Sequence, residues 1–554
     1  MEKRQNRPGR DIFGCFLLGI SVLMLGKSLA LCFSGDIWYD ELFTVGMIKH
    51  SYSEIVFFTA ADVHPPLYYC IVKLFVDLCK LLSPQTQPVI VAKIVSVLPY
   101  FILLLYSVTL IRRKFGLFVG GMLLFCVIAM PQLAAYTVEV RMYSWALLFV
   151  TAAFLHAYAL TDNYVNLYSE PGKSATDTDC KKVRSLHGAA FVLYGLAAAY
   201  TQYFACVAVV MVYLYVLLIF WFGNRRRIRE WLVWVGLSVA GYVPWLFVLY
   251  GQITAVRENY WILPLTFRSL GGCVKFLMKP AFADDRLNTV LAVVLFAVYL
   301  SAWAYSVSKL YHNGREKEKS AKNREHTRFF FATAGVCVPA GLVLFGFVAS
   351  WLVRPIFVYR YMIPALGCFW LCFALCLDNM LCKSKCLRHG VVSLLGMVFT
   401  MLAVIVGLRN YRAFMGEEEY KSVCMKETEN ALSMIGQQDM ILYNFDQVQA
   451  VTSYYLPETV KRSLWRVEGE KLIQEITSPC GIVEETDEIK EMLSEAKAEK
   501  DGADVWFIGS FNSRDDIVAE WQREGLVVEE TGSFLLERYW FNLYKISVPD
   551  HTTL

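Results

Sequence analysis

A polytopic α-helical membrane protein ending in a small soluble α/β domain is the fold class this 554-residue chain predicts. Apolar runs of bilayer-spanning length recur through the first 410 residues, and basic clusters punctuate them on alternate connections. Beyond residue 411 the composition turns to Glu and Lys, and strand and helix signals alternate. The residues are 56% hydrophobic and only 18% charged, which excludes an ordinary soluble protein. A net charge of +4 is too small to point to a nucleic-acid partner.

The first run, Ile12 to Ser34, follows Lys3, Arg4, Arg7 and Arg10. It is longer than a signal-peptide core and shows no small-residue cleavage site, so it reads as an anchor that stays. Further runs fall at 89–111, 116–134, 142–160, 187–200, 203–222, 230–250, 288–308, 329–352, 362–381 and 389–408. Together they make roughly eleven spans, with 187–200 short for one. Under this count Arg112-Arg113-Lys114, Lys181-Lys182, Arg225-Arg226-Arg227, Arg315 to Arg328 and Lys383 to Arg388 share one side with the N-terminus. The positive-inside rule makes that side cytoplasmic.

One apolar stretch is excluded from the count. In residues 67–82, Lys73, Asp77 and Lys80 recur at helical spacing on one face, opposite an apolar face. That pattern describes a helix lying in the interface. Residues 35–88 are therefore one extracytoplasmic loop, and the C-terminal part lies outside as well. There the runs 439–443, 504–508 and 540–548 read as strands and 515–524 as a helix. Most of the 16 cysteines sit inside apolar runs as small hydrophobes. Cys382 and Cys386 have no second pair and make a poor zinc site, and the sequence leaves a Cys424–Cys480 disulfide open.

Polar constellations gather at the outer ends of the spans. They are Trp38-Tyr39-Asp40-Glu41; Asp62, His64 and Pro65-Pro66 in the same loop; Tyr136, Glu139, Arg141 and Tyr143; and Arg354-Pro355 with Tyr359-Arg360-Tyr361. A sugar carried on a polyprenyl phosphate presents an anionic leaving group at a membrane surface. Its transfer needs a base for the acceptor hydroxyl and cations for the departing phosphate, and carboxylates and guanidinium forks fill those roles. No P-loop or zincin signature is present. Asp40 and Glu41 have a plainer reading as caps of an interfacial helix, and Glu139 with Arg141 as a pair at a span end.

The order and spacing of these motifs resemble a known family. W-x-D-E-x-x-T at Trp38 to Thr44, then D-x-H-P-P-L-Y-Y at Asp62 to Tyr69, is similar to the membrane-embedded GT-C glycosyltransferases. The likeness is to the bacterial branch related to protein O-mannosyltransferases and the lipid A aminoarabinose transferase. Val138 to Tyr143 resembles its E-x-R-x-Y segment, Tyr200-Thr201-Gln202-Tyr203 its Y-T-H-Y with Gln202 in place of His, and Pro355 to Tyr361 its P-x-F-x-x-R-Y.

The resemblance covers about residues 12–410 and implies a GT-C fold for the transmembrane domain, residues 1–410, with loop 35–88 carrying the catalytic motif; the roughly eleven spans and the basic clusters leave 411–554 as a separate extracytoplasmic domain. It implies inverting transfer from a polyprenyl-phosphate sugar to a hydroxyl on a lipid, polymer or protein, outside a plasma membrane. Asp40 is then the base, with Glu41 orienting the acceptor or sharing the proton. Asp62, His64, Tyr68, Glu139, Arg141, Tyr143, Arg360 and Tyr361 become candidate substrate contacts. Some relatives bind a divalent metal near this loop, where Asp62, His64 and Glu139 stand, although D-x-H alone is a weak metal signal. The rival class is a transporter or flippase of lipid-linked sugars. Such proteins usually place ionisable groups near the midplane and show repeated halves; here the charges gather at span ends.

Overall fold

Hydrocarbon offers the backbone no hydrogen bonds, so a chain this apolar crosses it as helices, and helices dominate the computed structural model. It describes residues 8–33, 37–161, 177–256, 262–316, 319–381, 387–469, 471–477, 479–498, 502–536 and 539–549. The basic residues Lys3, Arg4, Arg7, Lys383 and Lys385 and the Cys382–Cys386 pair lie outside the described residues. In chain order the first helices are α1 (Pro8–Leu31), α2 (Tyr39–Met47), α3 (Tyr52–Ala61), α4 (Leu67–Leu82), α5 (Pro88–Tyr106), α6 (Arg112–Lys114), α7 (Leu117–Ala129) and α8 (Tyr143–Thr161). There follow α9 (Asp177–Ala199), α10 (Tyr203–Phe222), α11 (Ile228–Val256), α12 (Arg268–Met278), α13 (Asp285–Glu316), α14 (Lys319–Leu352), α15 (Ile363–Met380) and α16 (Leu387–Leu432).

All the predicted spans fall on helices. Among the described residues nine stretches are long and apolar enough to cross a membrane, making this a multi-pass membrane protein. They lie on α1, α5 with α6, α8, α10, α11, α13, α14, α15 and α16. The two expected spans that miss the mark are α7, only 13 residues long, and α9, whose first turns carry Asp177, Asp179, Lys181, Lys182 and Arg184. Helix α4 buries Tyr68, Tyr69, Val72 and Val76 and exposes Leu74, Leu78, Leu81 and Leu82, and Lys73 pairs with Asp77 at 3.2 Å.

The chain divides into two compact units. The first comprises Met1–Cys32, Ser53–Cys79 and Val91–Phe414. Within it α1 and α7 pack backbone to backbone, because small residues at the crossing admit close approach. A methyl on Gly14 would strike the Leu117–Phe118 peptide, and one on Gly121 the Gly14 carbonyl. Arg10 on α1 pairs with Asp378 on α15 at 2.5 Å.

The second unit comprises Phe33–Tyr52, Lys80–Ile90 and Met415–Leu554. Its sheet has strands β1 (Met440–Tyr443), β2 (Lys461–Trp465), β3 (Gly481–Val483), β4 (Val505–Ser510), β5 (Val527–Leu536) and β6 (Tyr539–Ser547), ordered β3-β2-β1-β4-β6-β5. The first four run parallel; β6 is antiparallel to β4, and β5 to β6. Helices α17 (Asp446–Ser453), α18 (Lys471–Ile476), α19 (Thr486–Ala498) and α20 (Ser513–Arg523) connect the strands, as parallel pairing requires.

Alternation along the strands gives the sheet two apolar faces. Met440, Leu442, Val505 and Phe507 face Ile489 and Leu493 of α19 and Trp521 of α20. Ile441, Tyr443, Leu464, Trp506 and Ile508 share the other core with Val448 and Val451 of α17. That second core also takes in Ile37, Leu42, Val45 and Val89, which come from the loop region before residue 90. Asp439 knits the N-terminal edge, accepting from the N–H groups of Gly436 and Asp504 and from Trp506 Nε1 at 2.7–2.9 Å. Cys424 and Cys480 are free thiols.

Candidate active site

Helix α2 carries the Asp40-Glu41 pair. Trp38 is extended (φ −110°, ψ 172°), and its N–H donates to Glu41 Oε2 at 3.1 Å, the return half of a capping box. Both acids lie in the first turn, where the helix dipole favours negative charge. Glu41 is 5% exposed and holds the turn; Asp40, beside it, is half-buried. The cap reading therefore describes Glu41. Leu42 and Val45, three residues apart, present one apolar face, and α2 packs against α17 and α18. Gly46 meets the Ile476 backbone so closely that any Cβ there would overlap its carbonyl oxygen.

The first unit holds the other candidates. The end of α3 delivers Asp62, and Pro65-Pro66 directly precedes α4, where a missing N–H costs the helix no bond. His64 Nδ1 lies 2.5 Å from Asp62 Oδ2. Burial pushes the Asp62 carboxyl up, but the His64 charge and hydrogen bond, the Val63 N–H and the Arg141 charge together hold it below the ordinary carboxylate range. A carboxyl depressed on folding contributes stability that is complete above its unfolded value of about 3.9 and is lost as pH falls through the folded value. Asp62→Asn is therefore expected to melt lower than wild type at pH 7, with the gap shrinking below about pH 4. Thermal unfolding of the solubilised protein across pH reads this, and a gap independent of pH contradicts it.

Between α7 and α8 the chain turns through a 3-10 segment (Ala135–Thr137), and the Arg141 N–H donates to the Glu139 carbonyl at 2.7 Å. Arg141 is 5% exposed and Tyr143, opening α8, 1%. The Tyr136 and Tyr143 rings meet edge-on at 5.1 Å. Arg360 and Tyr361 sit in a second 3-10 turn, Tyr359–Met362, leading into α15. Tyr361, Arg360, Arg141 and Glu139 all lie within electrostatic range of the Tyr143 hydroxyl, and Asp62 within that of Arg141. The structure thus brings Asp62, His64, Glu139, Arg141, Tyr143, Arg360 and Tyr361 into one neighbourhood of the first unit. The Tyr68 hydroxyl is 3.5 Å from Ser96 Oγ on α5. Asp40 and Glu41 belong to the second unit. Among the described residues no three His, Cys, Asp or Glu side chains group to hold a metal.

Sequence reasoning passed over a brace beside Asp62. Tyr203 OH bonds Gln252 Oε1 and accepts from Trp245 Nε1 at 3.1 Å; Gln252 Nε2 donates to the Thr59 and Ala60 carbonyls at 2.8 and 3.2 Å. Nothing in a glutamine near the end of an apolar helix signals this.

No sequence-family model and no curated protein sequence matches the chain. Among solved structures, ArnT from Cupriavidus metallidurans bound to undecaprenyl phosphate aligns with 97% of this chain and 98% of its own at TM-score 0.52 and 12% identity. The archaeal oligosaccharyltransferase AglB from Archaeoglobus fulgidus, with an inhibitory peptide and a dolichol-phosphate, aligns over 90% of this chain and 69% of its own at TM-score 0.41 and 12% identity. The architecture, apolar helices followed by a small sheet domain, is the GT-C fold.

Proposed function

We propose that this GT-C-fold membrane protein is an inverting glycosyltransferase that moves a sugar from a polyprenyl phosphate to an acceptor hydroxyl on the extracytoplasmic side of a plasma membrane. The N-terminus is cytoplasmic and the C-terminal domain extracytoplasmic. The observation that carries the reading is the neighbourhood of Arg141 and Arg360 with Asp62, His64, Glu139, Tyr143 and Tyr361. A lipid phosphate asks for guanidinium donors next to apolar helices, and the ArnT structure of the same fold holds undecaprenyl phosphate.

In the reaction the acceptor oxygen attacks the sugar's anomeric carbon from the face opposite the phosphate. Asp40 takes the hydroxyl proton, the bond from anomeric carbon to phosphate oxygen breaks, and the electron pair leaves on polyprenyl phosphate. Arg141 and Arg360 hold that phosphate. Asp62 and His64 set the loop next to Arg141, and Tyr68, Tyr143 and Tyr361 contribute to the donor's walls. Glu41 holds the turn that presents Asp40. The acceptor is a lipid, a polymer or a protein.

Arg141→Gln and Arg360→Gln test the phosphate assignment. Each removes a charge-assisted hydrogen bond and should weaken undecaprenyl phosphate binding by about 10–100-fold. Equilibrium binding to the purified protein measures this. Unchanged affinity in both variants contradicts it.

A further inference from the structure

We infer that Gln202 binds a hydroxyl of the donor's sugar and so sets which lipid-linked sugar is accepted. This rests on the proposed function and adds to it the recognition of the sugar. Gln202 caps α10 with extended backbone (φ −160°, ψ 140°) and is 4% exposed. Its Oε1 and Nε2 are both buried, and neither has a hydrogen-bond partner among the described residues. An idle buried amide costs stability. Two other buried amides contrast with it: Asn444 spends both ends on Ser510, and Gln252 spends both on Tyr203 and the α3 carbonyls.

The segment around Gln202 is fixed to the donor neighbourhood on both sides. The Leu67 N–H, just after Pro65-Pro66, donates to the Tyr200 carbonyl at 3.1 Å. Asp62 lies within electrostatic range of the Tyr203 hydroxyl, and the Phe204 ring stacks on Tyr361 at 4.8 Å. Gln202 thus stands between residues tied to Asp62–His64 and one tied to Arg360–Tyr361. The chemistry selects what it binds. Phosphate oxygens only accept, and the guanidinium groups of Arg141 and Arg360 suit them better. An amide with a donor and an acceptor both idle matches a hydroxyl, which donates and accepts in turn. In this account the stability given up in the empty state is recovered when the sugar arrives.

The test is Gln202→Met, which keeps length and removes both polar atoms, with Gln202→Leu as a second apolar variant. Two quantities are measured: the melting temperature of the ligand-free protein, and affinity for undecaprenyl phosphate alone against undecaprenyl-phosphate-linked hexoses and pentoses. The expected result is a melting temperature at or above wild type, with affinity for the preferred lipid-linked sugar reduced about tenfold and affinity for undecaprenyl phosphate unchanged. A merely structural glutamine gives a lower melting temperature and equal affinity for the sugar conjugate, which overturns the inference. Equal loss for the sugar-free lipid overturns it too, by moving Gln202 to the phosphate. Wild type binding neither the sugar-free lipid nor any conjugate sinks the proposed function itself, and is read before any variant.

Discussion

Asp40→Asn is expected to lower the rate of sugar transfer by about 10²–10⁴-fold, the usual contribution of a positioned general base, while donor binding stays intact. The amide keeps the carboxylate's shape, so α2 and its packing survive, and only the ability to accept a proton is lost. Glu41→Gln is the informative companion. A glutamine serves in a capping box as a glutamate does, so the turn from Trp38 to Glu41 closes and most of the activity is retained. If Glu41→Gln fell as far as Asp40→Asn, the proton would be shared between the two carboxylates. A flippase would respond differently, since Asp40→Asn would leave lipid movement unaffected. Single-turnover release of polyprenyl phosphate, alongside equilibrium donor binding, separates these cases.

Gly46→Val is expected to lower turnover by about 10²-fold through position alone and to destabilise the protein by about 1–3 kcal/mol. Any Cβ at residue 46 would overlap the Ile476 carbonyl oxygen, and the obstacle is backbone, which cannot rotate away. Helix α2 must then lift from α17 and α18, and Asp40, on the same short helix, moves with it. Because Gly46 itself touches no substrate in this account, the donor KM should hold while kcat falls. Thermal unfolding together with steady-state kinetics checks both, and Gly46→Ala should fall between wild type and Gly46→Val. Full activity with an unchanged melting temperature would mean that the seating of α2 on the C-terminal domain does not matter for turnover.

The membrane part was legible because lipid leaves a sequence little freedom. Each run found in the sequence lies on a helix, and those that fall short of a full span are the 13-residue α7 and the charge-led α9. In the soluble part the apolar runs of β1, β4 and β6 announced themselves. Strand β2 begins Lys461-Arg462, β3 is three residues long, and the middle of β5 reads Glu529-Glu530-Thr531-Gly532, so no alternation marked them. What no reading of 35–88 on its own revealed is that Ile37, Leu42, Val45 and Val89 complete a core whose other walls lie hundreds of residues later. Short amphipathic helices look alike whatever they pack on. Asp40 and Glu41 were told apart in the sequence only by the resemblance, and the 3.1 Å bond from the Trp38 N–H adds a cap role for Glu41. The sequence grouped Asp62 and His64 in one loop without pairing them, and the Tyr203–Gln252–Trp245 brace left no trace in any pattern.

The most direct test places the purified protein in lipid with a panel of polyprenyl-phosphate sugars and a cell-envelope extract as acceptor source, and follows free polyprenyl phosphate by mass spectrometry. Release from one donor by wild type, lost in Asp40→Asn, is the predicted result. Folded protein that binds undecaprenyl phosphate yet releases it from no donor, or an Asp40→Asn protein that releases it as fast as wild type, would contradict the assignment of a glycosyltransferase with Asp40 as its base.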